Sequence, residues 1–212
     1  MTPVVKQLLI INVIVFGLSQ IMPQNYEYLS LFYFESDYFR FWQPLTHMFM
    51  HAPMPNFMHI LFNMFALVSF GSALEHFWGG KKFLFFYIAC GLGAAILHTA
   101  INYYNIHYIP GKEGLMNVPA VGASGAIYGL LVAFAFMFPM AELMMLFIPV
   151  PVKAKYFVPI IVALDLFSGT TGFSIFSGGG NIAHFAHVGG ALTGFILMML
   201  WRNNKFTHTR WN

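Results

Sequence analysis

Six apolar stretches in which charge all but disappears constrain this chain more than any motif does. They cover residues 3–22, 56–78, 82–106, 123–139, 155–168 and 182–201. A helix rises ~1.5 Å per residue, so about 20 mostly apolar residues cross a hydrocarbon core of ~30 Å. The 212 residues carry only 10 basic and 7 acidic side chains, 8% of the total, where soluble domains average about 25%. A chain that is 58% hydrophobic is too apolar to stay disordered, and the lone Cys90 excludes a disulfide-stapled module. The net charge of +3 comes from scattered Lys and Arg that make no basic stripe, so no nucleic-acid partner is expected. The expected fold class is all-α: a polytopic bundle of six transmembrane helices, with residues 1–212 as one domain and no internal repeat.

The fourth stretch is short and the fifth marginal, since Pro149, Pro151 and Pro159 each bear on where it starts. Lys6 and the lack of a small-residue cleavage site argue against a removable signal peptide in the first. Six spans put both termini on one side. Lys6, Lys81, Lys82, Lys153, Lys155, Arg202, Lys205 and Arg210 share that side, with only Arg40 and Lys112 opposite, a split of 8 to 2. The positive-inside rule makes the majority side cytoplasmic; residues 23–55, 107–122 and 169–181 then face outward. The first of these is crowded with aromatic residues and is expected at the headgroup boundary. The last, rich in Gly, Ser and Thr, is expected to be a mobile cap with Phe173 or Phe176 dipping toward a site below and Asn181 capping the next helix.

In this topology the second, fourth and sixth spans run from outside to inside, so their first turns share one depth, about 10 Å below the surface. That level holds His59 and Asn63, Ser124 and Tyr128, and His184 and His187. Polar groups gathered inside a membrane face a bundle interior or wet cavity. Alone, Ser124 is a small-interface residue, Asn63 interhelical glue, and Tyr128 or a single His a core group. Ser124 sits in Gly122-Ala-Ser-Gly125 at a helix start, where the free N–H groups of a first turn favour negative charge. Gly125 and Gly129 on the fourth span, and Gly190 and Gly194 on the sixth, are spaced for close backbone approach. His187 shares the face of Gly190 and Gly194, so contact between these spans carries it toward Ser124.

These motifs, His59-Ile-Leu-Phe-Asn63, Gly122-Ala-Ser-Gly125 with Tyr128, and Ala186-His-Val-Gly-Gly190 with Gly194, resemble those of the rhomboid intramembrane serine proteases. The resemblance runs through almost the whole chain, in the six-span bacterial form. It implies Ser124 as nucleophile, His187 as general base, and His59, Asn63 and the Ser124 N–H around the oxyanion, with Tyr128 packed on the His187 ring. It also implies single-span membrane proteins as substrates, cut near the outer face of the bilayer, with no metal or organic cofactor, in a bacterial inner membrane. Two departures stand out. Trp42-Gln43 replaces the Trp-Arg of many bacterial members, so other bonds must hold the first outer connection. Glu75 matches a structural position and is expected to pair with the turn that follows it.

No His-Glu-x-x-His is present, and only one of the two aspartates lies in a span, which excludes zinc and aspartyl intramembrane proteases. A carboxylate orients the base in a Ser-His-Asp triad. Asp165 lies at a plausible depth, yet no spacing puts it beside His187, and it is assigned a structural role at the helix end or against the next loop. Asn63 is expected to be the surer oxyanion donor, since the His59 imidazole can equally bond the first outer connection. Two other functions fit parts of the pattern: an inactive relative that binds membrane helices, and a metal transporter lined by His47, His51, His59, His184 and His187.

Overall fold

In lipid, every backbone N–H and C=O must be satisfied within the protein, which makes uninterrupted helices the default for such stretches. The computed structural model describes residues 1–145, 148–172 and 184–203. In chain order, helix α1 spans Pro3–Ile21, α2 Gln24–Leu29 and α3 Gln43–Thr46. Helix α4, Phe57–Ala66, continues through a π-helical stretch, Leu67–Gly71, into α5, Ser72–Trp78. They are followed by α6, Gly80–Tyr108, α7, Ser124–Met137, α8, Ala154–Thr171, and α9, His184–Asn203. This is the helical membrane bundle that the apolar pattern implies. Among the described residues, four helices are long and apolar enough to cross a bilayer: Pro3–Ile21, Phe57–Trp78, Gly80–Tyr108 and His184–Trp201.

Helices α7 and α8 depart from the expectation. With 14 residues, α7 is only ~21 Å long, shorter than a hydrocarbon core of ~30 Å. Helix α8 begins at Ala154 and runs through Pro159 to Thr171, beyond the expected end at 168, and Gly172 caps it in a left-handed conformation (φ 73°). A feature absent from the all-α expectation is an antiparallel hairpin, β1 (Glu142–Met145) and β2 (Ile148–Lys153), with Glu142 opposite Lys153. Pro149 and Pro151 fall in β2, so they do not shift the start of α8.

The core lies where α1, α5, α6 and α7 meet, around Leu67, Leu74, Phe83, Phe86, Tyr87 and Leu130, all fully buried. Glu75 pairs with the start of α1 rather than with the following turn: its carboxylate accepts from Thr2 Oγ1 (2.5 Å), Val4 N (2.9 Å) and Val5 N (2.8 Å). Those first-turn N–H groups have no acceptor within their own helix, and a buried carboxylate there also faces the positive end of the helix dipole. Cys90 is buried mid-helix against Gly129, a packing role.

Candidate active site

Helices α7 and α9 touch backbone to backbone. A Cβ built on Gly190 meets the Gly125 carbonyl oxygen at 1.8 Å, and one on Gly194 meets Gly129 Cα at 2.8 Å. Only glycine fits at Gly190, because the obstacle is a rigid main chain and not the end of a side chain. The seam brings the first turn of α9 to the first turn of α7, and Ser124 Oγ lies 2.8 Å from His187 Nε2.

The His187 ring is held on two sides. Tyr128, one turn after Ser124, stacks on it at 4.4 Å between centroids and 9° between planes. The other ring nitrogen, Nδ1, lies 3.1 Å from Asp165 Oδ1. No spacing in the sequence put Asp165 beside His187; α8 carries it there. The same Oδ1 lies 2.6 Å from His184 Nδ1, and the Tyr128 hydroxyl donates to Oδ2. A carboxylate only accepts, so His187 carries its proton on Nδ1 and turns a bare Nε2 to the serine hydroxyl.

Across the serine lies His59. Its Nδ1 accepts the Ala52 N–H at 3.2 Å, which leaves the proton on Nε2. Gly122 explains why that donor faces the serine. It has a φ of 126° that disfavours a side chain, and a Cβ there would sit 3.0 Å from His59 Nε2 and 3.4 Å from Ser124 Oγ. The space left by the missing Cβ is thus flanked by a nucleophile-type oxygen and an N–H donor. Binding the outer connection and facing the site are compatible for an imidazole, since each uses one nitrogen. Asn63 Nδ2 donates to the His59 carbonyl one turn back at 2.7 Å, leaving one amide hydrogen.

The first outer connection positions this side. Gly122 N donates to the His47 carbonyl (3.0 Å), while Leu31 and Ala120 exchange two backbone hydrogen bonds of 2.9 Å each. Ser36 Oγ donates to Asn117 Oδ1 at 2.8 Å. The connection is itself tied by fully buried Gln43. Its Nε2 donates to the carbonyls of Tyr38 (2.9 Å), Glu27 (3.3 Å) and Tyr28 (3.4 Å), and its Oε1 accepts from Phe32 N at 3.3 Å. These are the bonds that stand in for the charged contact expected of Trp-Arg. Burial pushes the His47 imidazole down to about 4 and, with the nearby His59 adding a smaller effect, His51 to about 3, so both are neutral near pH 7.

Among the described residues, one histidine and carboxylate cluster has metal-ligand proximity: Asp165, His184 and His187, with ligand atoms within 4.8 Å of one another. His47, His51 and His59 do not join it. The expected cap falls mostly on residues outside those described; only 169–172 are seen, as the end of α8 and its cap. The signal that sequence reasoning passed over is the spacing of Asp165 and Gly169, which share a face of α8. A Cβ on Gly169 would meet the Phe185 ring at 3.0 Å and His184 Cβ at 3.2 Å, so α8 presses on α9 beside the carboxylate.

Residues 38–204 match the Rhomboid domain. The chain is 29% identical over 194 residues to "Rhomboid protein 1, mitochondrial" of Saccharomyces cerevisiae, covering 91% of this chain and 51% of that one. It is 30% identical over 154 residues to "Rhomboid protease GluP" of Bacillus subtilis, covering 73% of this chain and 25% of that protein. With "Presenilin-associated rhomboid-like protein, mitochondrial" of Homo sapiens it shares 28% identity over 153 residues, 69% of this chain and 36% of the relative. The chain therefore spans about half or less of the length of these curated relatives.

Proposed function

Since this chain belongs to the rhomboid family, we propose that it is an intramembrane serine endopeptidase that cuts single-span membrane proteins near the outer face of the bilayer. The observation that carries the reading is the 2.8 Å approach of Ser124 Oγ to His187 Nε2 at the start of α7. His187 takes the serine proton as Oγ attacks the scissile carbonyl, then gives that proton to the leaving amine. Water next attacks the acyl-serine, losing a proton to His187, which returns it to Ser124 Oγ as the second tetrahedral intermediate collapses and the second product leaves as a carboxylic acid. The oxyanion forms in the space beside Gly122, stabilised by His59 Nε2–H, the Ser124 N–H and the remaining Asn63 amide hydrogen. Hydrolysis at the expected depth of about 10 Å requires that water reach Ser124 from the outer side. The substrate helix must unwind there, because its own hydrogen bonds hide the scissile carbonyl.

The protein is an integral membrane protein, and we read the membrane as a bacterial inner membrane with both termini cytoplasmic, on the 8-to-2 distribution of basic residues. The reaction needs no cofactor.

The test is cleavage of a model single-span substrate by the purified protein in detergent. Ser124→Ala and His187→Ala should each abolish cleavage while leaving the helical bundle folded. A fluorophosphonate should label Ser124, and EDTA should leave the rate unchanged. His59→Ala and Asn63→Ala should each lower kcat by about 10²–10³, the typical loss on removing one oxyanion donor. Normal cleavage by Ser124→Ala would falsify the reading; a wild-type protein that captures the substrate helix and never cuts it would favour the helix-binding alternative.

A further inference from the structure

We propose that Asp165 is the positioning residue of the base, converting the Ser124–His187 pair into a Ser-His-Asp relay whose carboxylate comes from a separate helix; this rests on the protease reading above. Three observations converge on it. The side chain is buried, yet its two oxygens receive three donors: His187 Nδ1 at 3.1 Å, His184 Nδ1 at 2.6 Å and the Tyr128 hydroxyl. Tyr128 also stacks on His187, so one residue fixes both the face of the imidazole and the carboxylate at its edge. Gly169, four residues after Asp165, lets α8 close on His184 and Phe185, which sets the distance from the carboxylate to α9.

The chemistry needs such a group at this depth. When Ser124 gives up its proton, an isolated His187 would become a cation in a medium that solvates charge poorly. Beside Asp165 the same proton transfer instead completes an ion pair, while the ring stays in the tautomer that presents Nε2 to the serine. Asp165 neither gains nor loses a proton in the cycle. It acts through His187 and touches no reacting atom.

The competing account is that Asp165 merely ties α8 to α9 through its shorter bond to His184. The two accounts order the variants differently. If Asp165 serves His187, Asp165→Asn should lower kcat by roughly 10²–10⁴ with KM within about threefold, as for the corresponding change in a serine-protease triad, and Asp165→Glu should recover part of the loss. His184→Ala should then cost less than about tenfold. Equal losses in Asp165→Asn and His184→Ala, or an Asp165→Asn enzyme with wild-type kcat, would overturn the proposal.

A second readout does not depend on turnover. In ¹⁵N-histidine-labelled full-length protein in detergent, the His187 signal, assigned by its disappearance in His187→Gln, should report the Nδ1–H tautomer. In Asp165→Ala it should shift toward the Nε2–H form, and in His184→Ala it should not. A His187 signal indifferent to Asp165 would overturn the proposal even if Asp165 variants are inactive through misfolding. Cleavage surviving in Ser124→Ala would remove the protease reading, whereas a fully active Asp165→Asn beside a dead Ser124→Ala would remove only the relay.

Discussion

The seam between α7 and α9 and the first outer connection both position Ser124, but by opposite means. The seam works by the absence of side chains: Gly125, Gly129, Gly190 and Gly194 let main chains touch. The connection works through hydrogen bonds, with Gln43 bonded to four backbone groups, Ser36 donating to the Asn117 side chain, and the Gly122 N–H bound to the His47 carbonyl. Close packing against a main chain leaves no room to adjust, while a hydrogen-bonded loop accepts any residue that satisfies the same groups. The seam should therefore fail all at once and the connection by degrees.

The largest effect is expected from the seam. Gly190→Val puts a branched side chain where a Cβ alone sits 1.8 Å from the Gly125 oxygen. Overpacking of this kind costs about 1–3 kcal/mol or more, and separating the helices also parts His187 from Ser124. Substrate cleavage should be lost and Tm should fall by several degrees; a fully active Gly190→Val would show that the helices are free to move apart without harm.

Gln43→Leu comes next. It keeps the volume but leaves the Phe32 N–H and the Tyr38 carbonyl without these partners, at about 1–3 kcal/mol for buried groups left unsatisfied. Tm should drop while a reduced rate of cleavage persists. Complete inactivation with unchanged Tm would mean that Gln43 acts on chemistry and not on the loop.

The smallest effect is a pH dependence confined to the connection. His47 and His51 are held below their ordinary value of 6.5, so the unfolded chain binds their protons more readily than the folded one does. Their contribution is fully present above about pH 6.5 and is lost as pH falls below it, by about 1 kcal/mol for the pair between pH 7 and 6. Thermal melts at the two pH values should show the decline, and His47→Gln should lessen it. A Tm that rises on acidification would contradict the neutral, buried state of these rings.

The apolar helices and the glycine spacing of the seam were legible in the sequence. Each depends on local periodicity or on the solvation of a single segment: a run without charge must satisfy its own backbone, and small residues four apart must share a helix face. The motifs on α4, α7 and α9 likewise pointed to the rhomboid family, whose domain residues 38–204 match, and to the pairing of Ser124 with His187. What only the tertiary structure decided were contacts between segments far apart in the chain. Asp165 reaches His187 across 22 residues and Tyr128 across 37, and Glu75 reaches the start of α1 across 71 and 70. The division of His59 between Ala52 and the space beside Gly122 belongs with them. A single buried acid or imidazole has no period, so its partner is set by how helices approach in three dimensions, and that approach is the sum of all the packing in the bundle.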